Sequence, residues 1–346
     1  MSWSCIVSAI LLGLIAYSIS DTGQEDYVIH KTVYDHVQKG GFESIATHYY
    51  FLTSPLYVFY VYLLSFFQDN RMLSVINTFL CYLNVFTVML VAFKRTNGSS
   101  RNLLKCFIYL ICVLPWVDFS LGIRGGYAFS LCALAFLYDS SPGRYRLLSL
   151  LFFIIPIFIH QACSAILLIW LMALFVNKFK GIRRIAFFVV FLTGLMSASL
   201  TLLGDSLSSI PGLQFISVVT HSLDEYAVKQ DGGAGVYGTG IVIIRGLGML
   251  IPFVLLLSQY KRSKKNINGD GLMVWDVPSI SFSLMMFFTM GYVWQFDMFA
   301  RYSVACIMLT PFIFSKQKRI PVYVVLFALM ALIYNTWNNY SYVFFE

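Results

Sequence analysis

The chain has 346 residues, 59% of them apolar and only 12% charged, with a net charge of +8 and a mean hydropathy of +0.75. That balance excludes a water-soluble domain with an ordinary polar surface and makes the bilayer the solvent. The basic residues lie in short loops between apolar runs, not on a folded basic face, which excludes a nucleic-acid-binding domain.

In chain order, residues 1–20 carry an apolar core without a basic leader or a convincing cleavage site before Asp21, and are read as the first spanning helix. Further apolar runs, long enough to cross a hydrocarbon core of roughly 30 Å, predict spans near 73–93, 103–117, 125–138, 147–159, 162–176, 185–203, 237–258, 277–292, 302–314 and 320–337. The first span has bounds near 3–19, and the total is about 11. Basic residues concentrate in segments 94–105, 144–146, 178–184, 261–265 and 316–319, each neighbouring pair separated by an even number of crossings. The positive-inside rule therefore places all five in the cytoplasm. The run 52–67 is apolar enough to cross, but counting it breaks this agreement. It is read as a re-entrant or interfacial helix inside a long first outer loop, 20–72, with an ordinary span as the alternative. A second outer loop covers 204–236.

The expected fold is thus an all-α polytopic transmembrane helical bundle, a single integral membrane domain over residues 1–346, with no fixed-period repeat. The seven cysteines fall almost entirely in apolar runs with no CxxC and no Cys/His cluster, so they read as core residues and no metal site or cofactor is expected. Most acidic residues gather in the two outer loops, which puts any chemistry outside. The glycine-rich stretch 231–240 lacks the Lys-Ser/Thr of a P-loop and reads as a flexible entry to the next helix.

Ionisable side chains at membrane depth are costly unless paired or hydrated, so each is a candidate for function. Arg124 begins a helix beside Gly122, Gly125 and Gly126, where a bulky anion could approach backbone N–H groups; pairing with Asp118 is the structural alternative. Arg245 lies about two turns into its span, too deep to snorkel easily, and calls for an anionic partner. Arg301 follows Asp297 by four residues, which allows a simple ion pair. Three guanidiniums would suit a diphosphate, whose oxygens the planar fork binds in pairs. His160 marks the outer turn of a helical hairpin, where a hydrogen-bonded structural residue is the alternative to a catalytic or ligand role, and Asp26 lies a few residues beyond the first span, where a carboxylate could take a proton from a sugar hydroxyl. His30, His36, His48 and His221 show no ligand spacing and read as solvated.

Four short motifs occur in order: Asp26-Tyr27, Gly122-Ile123-Arg124-Gly125-Gly126-Tyr127-Ala128, Ile159-His160-Gln161-Ala162-Cys163-Ser164-Ala165-Ile166 and Arg301-Tyr302. On these the chain resembles the EpsG-like and Wzy-type polysaccharide polymerases. Its first loop, with Pro55-Leu56-Tyr57 after an acidic motif, is also similar to that of GT-C glycosyltransferases. It departs from the pattern at Gly125, where the family has Gln, at His30, where an aromatic is expected, and at Thr53-Ser54-Pro55. The resemblance implies a bacterial inner-membrane enzyme of O-antigen or lipopolysaccharide type that transfers glycan from undecaprenyl diphosphate onto a lipid-linked repeat unit at the periplasmic face. Asp26 or His160 would act as base and Arg124, Arg245 and Arg301 would hold the diphosphate. Its implied partners are the lipid-linked oligosaccharide, membrane lipid and a chain-length regulator. A transporter or flippase of the same lipid-linked sugars is the competing class, against which stands the lack of internal repeats.

Overall fold

The computed structural model describes residues 2–18, 25–47, 53–114, 116–140, 146–178, 244–252, 254–255 and 296–338. The expected spans near 185–203 and 277–292 and the second outer loop lie outside these. All regular structure among the described residues is helical: α1 (Ser2–Ala16), α2 (Glu25–Gly40), α3 (Glu43–Thr47), α4 (Pro55–Ser65), α5 (Arg71–Arg95), α6 (Ser100–Val113), α7 (Trp116–Leu121), α8 (Ile123–Asp139), α9 (Arg146–Ile154), α10 (Cys163–Lys178), α11 (Phe296–Met308), α12 (Thr310–Phe314) and α13 (Val322–Asn338). Residues 244–252 form a further helical segment.

The centre of the bundle is α5, whose 25 residues span about 37 Å at 1.5 Å per residue, enough to cross a bilayer. It is the one described helix that passes by both length and composition; the others that are apolar are shorter. Around it pack α1, α7, α8, α6 and α12. Helix α8 is enclosed almost on every side, with Ala128 to Leu137 all buried, and its Phe136 meets Phe153 of α9 edge to face at 4.9 Å. By contrast α13 turns Val322, Leu326, Met330, Ile333 and Trp337 outward, the last 83% exposed. A stripe of that size would be a liability in water; against lipid chains it is an ordinary outer surface.

Two polar ends fall out of the hydrogen bonding. At one, Arg95 donates to the Leu137 carbonyl at 2.8 Å, Thr96 to that of Ser315 at 3.2 Å and Asn102 to that of Gln317 at 2.6 Å, while Lys105 bonds the Ile320 carbonyl. The basic segments 94–105 and 316–319 therefore share one end of the bundle. At the other, Ser74, Asn77 and Thr78, at the i, i+3 and i+4 positions of one face of α5, grip α7. Ser74 donates to the Ser120 carbonyl at 2.7 Å, Asn77 to the Phe119 carbonyl at 2.6 Å, and Thr78 bonds the Ser120 hydroxyl at 2.9 Å. These bonds satisfy the last carbonyls of a helix only six residues long and fix its orientation.

Several expected boundaries shift for local reasons. The end of the span expected near 103–117 and the gap before the next hold the separate helix α7, and the span expected near 302–314 is interrupted at Leu309, before Pro311, whose ring removes an N–H and starts the separate helix α12. The first loop holds more structure than the single interfacial helix expected of it. Besides α4 it contains α2, whose buried Tyr27, His30, Val33, Tyr34 and Val37 recur at helical spacing and pack on α4. Helix α4 has 11 residues, about 16 Å. Both flanks lie at the end of the bundle opposite the basic segments: the Thr53 carbonyl accepts from Gln161 at 3.4 Å, and Asp69 accepts from Tyr17 at 2.9 Å.

Candidate functional site

At the end of the bundle opposite the basic loops lies a cavity of about 90 Å³, lined by His30, Asp118, Gly122, Arg124, Gly125 and His160 together with Phe119, Gly126, Phe129, Arg245 and Val304. A polar space of that size has room for several waters. Its lining comes from α2, α7, α8, the α9–α10 turn, the 244–252 segment and α11, which are separated by more than 200 residues in sequence.

Helix α8 enters the cavity by its N-terminus. Gly122 is the N-cap and supplies no side-chain cap, and the first intrahelical bond runs from Gly126 N–H to the Gly122 carbonyl at 3.1 Å. The N–H groups before Gly126 therefore have no intrahelical acceptor and carry the positive end of the helix dipole. Arg124 sits in this first turn, its guanidinium carbon 5.5 Å from the centre of the Tyr57 ring, a cation–π arrangement with α4. The glycines serve packing as well as access. A Cβ on Gly125 would stand 3.3 Å from His160 Cδ2, and one on Gly126 would lie 2.8 Å from Phe119 Cδ1.

His160 follows the 3₁₀ turn Ile155–Phe158, which ends the first limb of the expected hairpin, and α10 begins three residues later. Its ring stacks on Phe129 with centroids 6.1 Å apart, and its Nδ1 accepts the Ala162 N–H in a long bond of 3.3 Å. An accepting Nδ1 puts the proton of the neutral ring on Nε2. Tyr302 of α11 holds the same turn by donating its hydroxyl to the Ala162 carbonyl at 3.2 Å.

Arg245 is 2% exposed and bonds the Asp118 carboxylate through Nη2. The anionic partner that its depth calls for is therefore in the chain, and Asp118 is met by Arg245. The α5 hydroxyls and amide that anchor α7 are what set Asp118 in place.

The structure brings three of the five sequence candidates, Arg124, Arg245 and His160, to one cavity. Asp26 lies in the first turn of α2, one turn before His30, and Arg301 lies one turn before the cavity residue Val304 on α11; the side chains of both are outside the described residues. His30 is corrected: expected in solvent, it is 2% exposed and lines the cavity. Its Nδ1 lies 2.5 Å from the Tyr57 hydroxyl. Burial, reinforced by the nearby positive charges of Arg124 and His160, lowers its pKa from 6.5 to about 3, so the ring is neutral. The signal was present in the sequence, since Tyr27, His30, Tyr34 and Val37 mark one helical stripe. Among the described residues no group of three His, Cys, Asp or Glu has metal-binding geometry, and all seven cysteines are buried thiols.

Compared with known protein families, the chain matches the EpsG family over residues 1–345. No curated protein and no solved structure matches it.

Proposed function

The chain belongs to the EpsG family, and on that premise we propose that it is a polysaccharide polymerase of the O-antigen type, a membrane glycosyltransferase whose donor is a glycan on undecaprenyl diphosphate and whose acceptor is a lipid-linked repeat unit. The reading puts the protein in a bacterial inner membrane with about 11 crossings and the cavity facing the periplasm. The placement of α4, with both flanks at the cavity end, favours counting it as an interfacial helix.

The observation that carries the reading is the meeting of Arg124, Arg245, His160 and the N-terminus of α8 around one cavity. Diphosphate is already a good leaving group. The chain needs to stabilise its growing charge, hold two lipid-anchored substrates in line and accept one proton. The first-turn N–H groups of α8 and the Arg124 fork suit phosphate oxygens. Arg245, engaged by Asp118, lines the same cavity, and Arg301 lies one turn before the cavity residue Val304 on α11. In the reaction an acceptor hydroxyl attacks the anomeric carbon, a new C–O bond forms, and the bond from that carbon to the phosphate oxygen breaks, its electron pair leaving with the diphosphate. Asp26 and His160 are the candidate proton acceptors from sequence. No nucleotide sugar enters, and membrane lipid and a chain-length regulator complete the expected partners.

The lipid-linked glycans of cells lacking the protein test this. A single repeat unit accumulating on the outward-facing lipid is expected. Absence of any outward-facing lipid-linked repeat would instead indicate a flippase.

A further inference from the structure

We infer that His30 takes the proton from the attacking hydroxyl and that His160 serves as a hydrogen-bond donor to the departing diphosphate. This assignment rests on the polymerase reading and replaces both proton acceptors suggested by sequence.

The two imidazoles line the same cavity, and a backbone N–H fixes the tautomer of His160 while the hydroxyl partner of His30 leaves both of its tautomers open. His160 has its Nδ1 engaged by the Ala162 N–H, so its neutral ring presents N–H at Nε2 and has no lone pair to offer there. His30 has only Nδ1 engaged, by a hydroxyl. The Tyr57 hydroxyl can accept as well as donate. When it accepts, the His30 proton sits on Nδ1 and the bare Nε2 lone pair remains for a substrate hydroxyl. Nε2 makes no hydrogen bond within the described residues.

The surroundings keep the ring in its base form. Facing His30 are Tyr57 from α4, Arg124 from α8 and His160 from the α9–α10 turn, with the Asp118–Arg245 pair on the same cavity wall. Arg124 lies over Tyr57, so the same tyrosine touches both the anion-binding arginine and the base. Burial and the positive charge of Arg124 oppose protonation of His30, and His160 adds to this whenever its own ring is charged. A diphosphate bound at Arg124 cancels much of that repulsion. The ring then becomes more basic when a donor occupies the cavity, and stays unprotonated when none does. In the step itself the hydroxyl proton passes to His30 Nε2 as the oxygen bonds the anomeric carbon, and the electron pair of the broken bond departs on the diphosphate, which the His160 Nε2–H and Arg124 receive. The proton on His30 returns to water after product leaves.

The test uses a strain lacking the gene, complemented with full-length tagged variants, and measures both polymer made in a labelled-sugar pulse and protein level between medium pH 5 and 8. His30→Gln keeps an amide near the Nε2 position but has no basicity there; it is expected to lower polymer by about 10²- to 10⁴-fold at normal abundance. His30→Glu restores a proton acceptor and is expected to give at least tenfold more polymer than His30→Gln, with the acidic fall-off of the pH profile displaced from that of the unaltered protein. His30→Asn, which keeps a partner for Tyr57, should be as inactive as His30→Gln. If His30 only supports the fold, Gln or Asn will work as well as Glu and the pH profile will not move; that result overturns the assignment. Polymer that persists when the gene is deleted would overturn the polymerase reading itself, whereas a polymer-negative deletion with fully active His30→Gln removes only the base.

Discussion

Asp118→Asn removes the charge facing Arg245 while keeping the shape of the side chain, and its cost follows from the burial of the pair. The Arg245 side chain is 3% exposed and that of Asp118 20%. Breaking a buried ion pair by removing one partner costs about 3–5 kcal/mol, most of it from the charge left behind. Because one-fifth of Asp118 meets solvent, water relieves part of the deficit, and a loss near 3 kcal/mol is expected, about 150-fold in the folded population. Removing the second charge as well should recover much of it. Asp118→Asn combined with Arg245→Gln is therefore expected to be at least 1.5 kcal/mol more stable than the two single losses would sum to. Unfolding of the purified protein in detergent, followed by thermal and chemical denaturation for all four combinations, measures the coupling. Additive losses to within about 0.5 kcal/mol would refute the pairing as the reason Arg245 is tolerated at depth.

Replacing Arg124, Arg245 or Arg301 singly by Lys keeps the charge but loses the fork, so polymer should fall about 10- to 100-fold with protein level unchanged if each grips diphosphate; a parallel fall in abundance would mark a structural arginine, and near-normal polymer in all three would end the clamp idea. Gly125→Ala places its Cβ 3.3 Å from His160 Cδ2 and should displace that ring, lowering polymer with little loss of stability, whereas Gly126→Ala collides with Phe119 at 2.8 Å and should cost about 1–3 kcal/mol. Equal stability of the two alanine variants in detergent would contradict that contrast. Burying His30 neutral makes the unfolded chain bind a proton that the folded chain refuses between pH 6.5 and about 3, so stability is full above pH 6.5 and falls as pH drops. The decline is about 2 kcal/mol at pH 5, and it should be absent in His30→Gln; the same acid slope in both proteins would argue against a buried neutral ring.

The parts of the fold that could be read from the sequence are those whose signal is local. The apolar length of α5, the hairpin at His160, and the common end of segments 94–105 and 316–319 each follow from composition and charge within a few turns. The convergence of Arg124, His160 and Arg245 was accessible because each is an ionisable group at membrane depth, and such groups need a shared polar space. The Asp118–Arg245 pair was not, since 127 residues separate its members and Arg124 is the nearer basic residue in sequence. His30 was missed because α2 is as polar as a loop on average and only its stripe of Tyr27, His30, Tyr34 and Val37 betrays a helix packed on α4. Tyr57 was noticed as part of Pro55-Leu56-Tyr57, but its contact with both His30 and Arg124 depends on how α4 lies across the cavity.

Elongation by the purified protein in liposomes bears most directly on the proposed activity. Lipid-linked repeat units extracted from cells lacking the gene would be supplied as both donor and acceptor, with no nucleotide sugar present. A ladder of longer lipid-linked glycans is expected, with free undecaprenyl diphosphate released in step with each bond formed, and both signals should fall about 10- to 100-fold in the Arg124→Lys protein. Growth of the glycan only after a nucleotide sugar is added, or movement of the repeat units across the bilayer without any growth, would contradict the account.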